Sequence, residues 1–383
     1  MHRSTGSRTR RTIVAAVALV TALGACSSDD DTNADATTTT APAPGAYAAA
    51  GPYDVGVRTF ELADGNLVEV WYPAAPDSTD GVEPDTYAIS DWLPEGIQEQ
   101  VPDGVDTYTT AAFRDVPAHD DGPFPVVLFS HGFASFRTQS TFLTQHLASW
   151  GMVVAAPDHP SRGLLAVFTG QEPDPNASLE DIRNTVRFLD AEAADPQWPL
   201  AGVLDLDALA IAGHSAGGGT ALQVASDPDL GPRLAMYVSH ASGAFEDGAL
   251  PDVPSVFMFG TDDDIVEPER TRDAYDRAPA PKRLYSIAGA GHLAFADICE
   301  IGADDGGVLG LADALGIEVP ANLRVLATDG CTPEEVPAPD TWPAINHFTT
   351  ANLRVAFGID DPDDAQLADV TPFADLEIET SSG

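Results

Sequence analysis

The sequence predicts an α/β fold with a mostly parallel sheet covered by helices on both faces. Three observations carry this. Short apolar runs recur from residue 125 onward, amphipathic helical segments separate them, and most runs are continuously apolar, as in strands buried on both faces.

Taken in order, Val55-Phe60 and Leu67-Tyr72 are β-rich and flank Asp64-Gly65, a hairpin signal. Residues 77–122 are crowded with Pro, Gly and Asp and hold one helical patch at Leu93–Val101. A loop of that length is expected to serve as a lid or cleft wall, with Trp92 and Leu93 as candidate lining. The alternation then runs through strand Val126-Ser130, a helix over 138–150 and strand Met152-Ala156. Ser178-x-x-Asp181 resembles a capping box and opens a helix with Leu179, Ile182, Val186 and Leu189 on one face. Strand Leu209-Gly213, helix Ala216–Ser226 and strands Leu234-Ser239, Val253-Phe259 and Arg283-Ile287 follow, with a last helix over 344–356. The acidic, poorly patterned residues 359–383 read as a tail, and no internal repeat is visible.

The 383 residues suffice for one large domain, placed at 51–358 with an insert at 297–340. The formal charge is −42, from 18 basic and 60 acidic residues, and Lys282 is the only lysine. Such a surface repels phosphate backbones, which argues against nucleic acid as a partner. Arg3, Arg8, Arg10 and Arg11 precede an apolar run, Ile13 to Leu23, too short to span a bilayer permanently; residues 1–25 read as a secretory signal. Leu23-Gly24-Ala25-Cys26 resembles a bacterial lipobox, so Cys26 is the expected lipidation site and 26–50 a flexible tether. The protein is then exported, secreted or surface-held, with a lipid anchor as its only membrane contact. Cys299 and Cys331 form an even pair outside the cytoplasm, where a disulfide is expected.

Gly213-His214-Ser215-Ala216-Gly217 matches G-x-S-x-G between an apolar strand and a helix, the setting of a nucleophile elbow. A serine hydroxyl needs a base, and in such folds the acid and the histidine follow the serine in that order. His292, in Gly289-Ala290-Gly291-His292 after an apolar strand, is the expected base; His347 lies in a helical pattern and reads as structural. Three acids compete after the preceding strand, in Gly260-Thr261-Asp262-Asp263-Asp264. Asp264 is the expected partner because the chain turns back to the core at Ile265, leaving Asp262 and Asp263 to cap a helix or bind a cation. The expected oxyanion donors are the amides of Ala216 and of Phe133, the latter in Ser130-His131-Gly132-Phe133. His131, His159 and His240 read as hydrogen-bonded structural residues. No metal site is expected, since no pair has H-x-x-x-H or H-E-x-x-H spacing.

Val126-Val127-Leu128-Phe129-Ser130-His131-Gly132-Phe133, the elbow, Gly-Thr-Asp-Asp-Asp-Ile-Val at 260–266 and Gly-Ala-Gly-His-Leu-Ala-Phe at 289–295 together resemble one group of α/β-hydrolases. These are the enzymes related to dienelactone hydrolases, platelet-activating-factor acetylhydrolase-like lipases and bacterial cutinase-like polyester hydrolases. Gly56-Val57-Arg58 and Val70-Trp71-Tyr72-Pro73 extend the likeness, which covers most of 51–358. It implies the α/β-hydrolase fold, a Ser215–Asp264–His292 triad, no cofactor, and a small-molecule, lipid or polyester ester as substrate. Two features depart from it. Dienelactone hydrolases proper use cysteine where Ser215 stands, and the segment between His292 and the last helix is longer than in the polyester enzymes. Acyl transfer through the same residues, or a non-catalytic binding lipoprotein on this scaffold, are the rival readings.

Overall fold

The computed structural model describes residues 45–174, 176–244, 249–361, 373 and 375–383. The expected signal segment, Cys26 and the expected tether up to residue 44 lie outside the described residues.

Twelve strands are present among the described residues: β1 (Val55–Glu61), β2 (Leu67–Pro73), β3 (Thr86–Ala88), β4 (Thr107–Thr109), β5 (Ala112–Arg114), β6 (Phe124–Ser130), β7 (Val153–Pro157), β8 (Leu204–His214), β9 (Leu234–His240), β10 (Ser255–Gly260), β11 (Lys282–Ile287) and β12 (Ile378–Ser382). Ten form one sheet in the order β12-β11-β10-β9-β8-β6-β7-β2-β1-β5, and β3 with β4 make a separate ribbon. Strands β6 to β11 pair in parallel, whereas β2 runs antiparallel to both β1 and β7.

Because side chains alternate across a strand, neighbouring residues feed opposite cores. Val126, Leu128 and Ile211 enter one core and Val127, Phe129 and Ala212 the other. Helices α4 (Ala177–Glu192), α5 (Ala216–Ala225) and α6 (Pro268–Arg277) supply Ile182, Leu222 and Ala274 to the first core. The second takes Leu143 and Leu147 from α2 (Thr141–Ser149) and Ile345 and Phe348 from α9 (Ala338–Ala356). Both cores are apolar, and this double burial is what made the strands read as continuous apolar runs.

The structure redraws three boundaries. Packing against the domain includes residues before 51: Tyr47 is buried, edge-on to Trp150 with ring centroids 4.7 Å apart, and donates its hydroxyl to Asp360. The expected tail contains β12, antiparallel to β11 with Arg283 opposite Ser382. Its sequence, Ile-Glu-Thr-Ser-Ser, has one apolar residue, so backbone pairing holds it without a hydrophobic pattern. Helix α9 starts at Ala338, six residues before the expected start; Pro339 sits in its first turn, where a missing N–H costs nothing.

Ser178 does not cap α4, which begins at Ala177 without a side-chain cap; Ser178 is buried in the helix and Asp181 bonds elsewhere. The loop-rich segment after β2 folds into the β3–β4 ribbon and α1 (Glu95–Gln98), shorter than the expected patch. A short α3 (Leu164–Phe168) follows β7, and the insert after β11 carries α7 (Gly307–Leu315) and α8 (Ala321–Leu326). Among the described residues, no helix is long and apolar enough to cross a membrane.

Candidate active site

Strand β8 delivers the chain into Ser215, whose backbone sits at φ 55°, ψ −123°. That region is unfavourable for a residue with a Cβ, and strain of this kind collects at functional sites. The surrounding glycines are steric necessities. A Cβ on Gly213 would lie 2.2 Å from the Gly217 carbonyl oxygen, and one on Gly217 would lie 1.8 Å from that of Ser130. Helix α5 starts at the next residue, so the serine stands at its positive end.

His292 follows β11, with no exposed surface, and its Nδ1 lies 2.9 Å from Asp263 Oδ2. Its Nε2 is buried and has no hydrogen-bond partner among the described residues. Both His292 and Ser215 line one cavity of about 140 Å³.

The acid on the imidazole is Asp263, not Asp264. Asp263 is 3% exposed, and its Oδ1 accepts the amides of Ile265 and Val266 at 3.0 and 2.7 Å. Those bonds make the turn that sends the chain back to the core, and they hold the carboxylate inward one residue earlier than expected. The Asp264 side chain is exposed, and its amide donates to Asp329 Oδ2 at 2.9 Å. Asp329 also accepts the His292 amide, so one carboxylate from the C-terminal insert ties the acid loop to the histidine loop. Burial raises the Asp329 carboxyl, with the charge of Asp263 adding to that, while the amide bonds pull it back. Cys299 and Cys331 form a disulfide, as expected, two residues beyond this tie.

Gln139 and His214 organise the same region, and sequence reasoning missed Gln139. Its Oε1 accepts the Gly132 amide at 2.8 Å, while its Nε2 donates to His214 Nδ1 at 2.7 Å. His214 Nε2–H in turn donates to the His292 carbonyl at 3.0 Å. Burial keeps His214 neutral by pushing its pKa well below the ordinary value, with the neighbouring His292 and His240 adding to it.

Phe133 lines the cavity, which is otherwise strongly apolar. The 77–122 segment contributes Ile89, Leu93, Val101 and Val105, and the C-terminal insert contributes Ile298, Val308, Leu311 and Leu323. Both inserts thus wall the cleft. Leu93 lines it as expected, while Trp92 stacks on Phe136 at 4.4 Å and donates its indole N–H to Asp158. Among the described residues, one group has metal-binding geometry, the largely exposed His119, Asp120 and Asp121, and none of these lines the cavity.

A second Ser–His–Asp array lies behind the site. His159 Nε2 is 2.8 Å from Ser130 Oγ, and its Nδ1 is 2.9 Å from Asp181 Oδ2. Ser130 and His159 have no exposed surface. His131 accepts the His159 amide at Nε2 and places Nδ1 2.8 Å from the Gly132 carbonyl. These histidines, and His240 with Thr349, are hydrogen-bonded within the core, in keeping with the structural reading.

Residues 115–230 match a family model described as chlorophyllase. The platelet-activating factor acetylhydrolase of Canis lupus familiaris is 26% identical across 49% of this chain and 52% of its own length. A cutinase of Thermobifida alba is 26% identical across 46% of this chain and 55% of its own. The chain spans about half the length of the curated relatives it matches. Among solved structures, a ferulic acid esterase from Streptomyces cinnamoneus superposes with a TM-score of 0.58 at 20% identity, over 88% of this chain and 98% of that one. The sheet, the elbow and the superposition show the α/β-hydrolase fold, and the sequence likenesses are to a chlorophyllase model, an acetylhydrolase and a cutinase.

Proposed function

We propose that the protein is an exported carboxylic-ester hydrolase in which Ser215 is the nucleophile, His292 the base and Asp263 the acid that orients it. The observation that carries this reading is the state of His292. One ring nitrogen is held by a buried carboxylate, and the other is bare in a cavity shared with a strained serine.

His292 Nε2 takes the Ser215 proton as Oγ bonds to the ester carbonyl carbon, and the carbonyl oxygen becomes an oxyanion. On this reading the amides of Phe133 and Ala216 donate to it. The imidazolium returns its proton to the alcohol oxygen as the C–O bond breaks, leaving an acyl-serine. Water, deprotonated by His292, then attacks the acyl carbon, and the acid departs as the proton passes back to Ser215.

The lining favours an ester with an apolar acyl or alcohol portion, lipid-like or polyester-like. Asp106, an ionisable wall residue, is already engaged by the Ser90 amide at 2.7 Å, so a charged substrate group finds little to pair with. No cofactor enters this scheme. Cys26 as a lipid anchor belongs to the same proposal and is tested by metabolic palmitate labelling, which Cys26→Ser should abolish.

Ser215→Ala tests the chemistry. Its turnover of short p-nitrophenyl esters should fall by roughly 10⁴-fold or more with an unchanged fold by circular dichroism. A fluorophosphonate probe should modify Ser215 and leave Ser130 untouched, as mapped by peptide mass spectrometry. Wild-type turnover by the folded variant would remove Ser215 from the reaction.

A further inference from the structure

Arg162, between β7 and α3, is 8% exposed, and among the described residues no carboxylate lies within ion-pair distance of it. A buried guanidinium without a direct counter-ion is expensive, so its hydrogen-bond partners must account for its presence. Nη2 donates to the His131 carbonyl at 2.6 Å and to Ser130 Oγ at 2.9 Å. Nη1 donates to Thr220 Oγ1 at 2.7 Å and reaches the Ala216 carbonyl at 3.3 Å, while Nε is left without a partner. The Arg162 carbonyl accepts the Ala134 amide at 2.8 Å.

These contacts flank the two peptides that carry the proposed oxyanion donors. The Phe133 amide belongs to the peptide whose carbonyl, Gly132 O, is bonded by His131 Nδ1. The peptides on either side, at His131 and Ala134, are held by Arg162 itself. The Ala216 amide belongs to the peptide whose carbonyl, Ser215 O, accepts the Gly218 amide at 2.9 Å, and the next carbonyl, Ala216 O, faces Arg162. One side chain therefore grips the loop after β6 and the first turn of α5 together.

The sealed array gives Arg162 its counter-charge at one remove. With Arg162 donating to Ser130 Oγ, the Ser130 hydroxyl proton points to His159 Nε2, and His159 Nδ1–H points to the Asp181 carboxylate. Burial drives His159 well below its ordinary pKa, with Arg162 and His131 adding to that, so the ring is a neutral link. The same burial lowers Arg162 to about 9, with the charge of Asp181 working against the shift.

We propose that Arg162 is a positioning residue that presets both oxyanion donors, with Ser130, His159 and Asp181 as its support. This rests on the hydrolase reading above. Two variants of the full chain test it, Arg162→Gln and Arg162→Lys, each checked by circular dichroism and thermal unfolding. Folded Arg162→Gln should lose roughly 100-fold in kcat while KM stays within about threefold, and an aryl trifluoromethyl ketone, whose adduct carries the oxyanion, should bind correspondingly more weakly. Arg162→Lys, which keeps the charge, should recover about tenfold of that loss. Wild-type kcat in folded Arg162→Gln, or a loss confined to KM, overturns the proposal. Should Arg162→Gln not fold, Arg162→Lys and Thr220→Val decide by the same split: a lower kcat at unchanged KM supports it and wild-type kcat overturns it. An inactive Ser215→Ala beside a fully active Arg162→Gln sinks this inference alone, whereas an active Ser215→Ala removes the hydrolase reading with it.

Discussion

Ser215–His292–Asp263 and Ser130–His159–Asp181 share residue types and histidine connectivity, yet their surroundings differ at every point that matters for chemistry. Ser130 sits at the end of an ordinary strand, while Ser215 occupies a backbone region that strains a side-chain-bearing residue. In the sealed array both ring nitrogens of the histidine are bonded; in the open one Nε2 has no partner. Ser130 and His159 face packed protein, with Asp181 reaching a surface pocket, whereas Ser215 and His292 face an apolar cavity. The lesson is that a hydrogen-bonded Ser–His–Asp chain is a stable way to satisfy buried polar groups. Reactivity needs, in addition, a free base nitrogen, access, and donors waiting for the developing charge.

The sharpest break in this comparison is at the acid. Asp263→Asn should lower kcat by about 10³- to 10⁴-fold, since an amide cannot hold the required tautomer of His292, while Asp264→Ala should stay within about twofold. Steady-state kinetics of the pair settle which aspartate serves, and equal losses would place the acid elsewhere.

A smaller effect is expected at Asp329. An Asn there turns an N–H toward one of the two amides it now accepts, from His292 and Asp264, and loosens the histidine loop. kcat should fall about tenfold with little change in KM, and full activity would mean that the loop holds itself.

The mildest test is acidity, read as stability. Burial lowers His131 and His240 to about 3 and His146 to about 4, and holds His159 and His214 well below their ordinary value. Below about pH 6.5 the unfolded chain binds protons that these rings refuse, so stability present above that pH is lost as the pH falls. Asp181 and Asp297, raised to about 7 by burial, act oppositely and regain stability as the pH falls from 7 toward 4. Burial also raises Asp329 and Glu300, so five histidines stand against four carboxyls; the histidines prevail, and the unfolding temperature should drop between pH 6.5 and 4. A flat or rising profile would show that the buried histidines are not kept neutral.

The strands of the parallel sheet were legible because burial on both faces leaves a continuous apolar record. Ser215 and His292 were legible because a tight turn demands glycines around them. The acid was not, because three consecutive aspartates carry no pattern and the turn bonds of Asp263 decide between them. Arg162, Gln139 and Asp329 were hidden for another reason: each acts on backbone brought near only by the fold. Asp297 does the same for α2, whose Thr141 amide and hydroxyl it accepts from 156 residues away.

Strand β12 has a consequence for how the chain can be shortened. Trimming at residue 358, where the pattern in the sequence fades, would strip the polar ribbon from Lys282–Ile287 and leave its unpaired amides and carbonyls along an open margin of the sheet. Such a margin invites strands from neighbouring molecules. The last five-residue strand therefore acts as a cover against self-association, although it adds almost nothing to the interior.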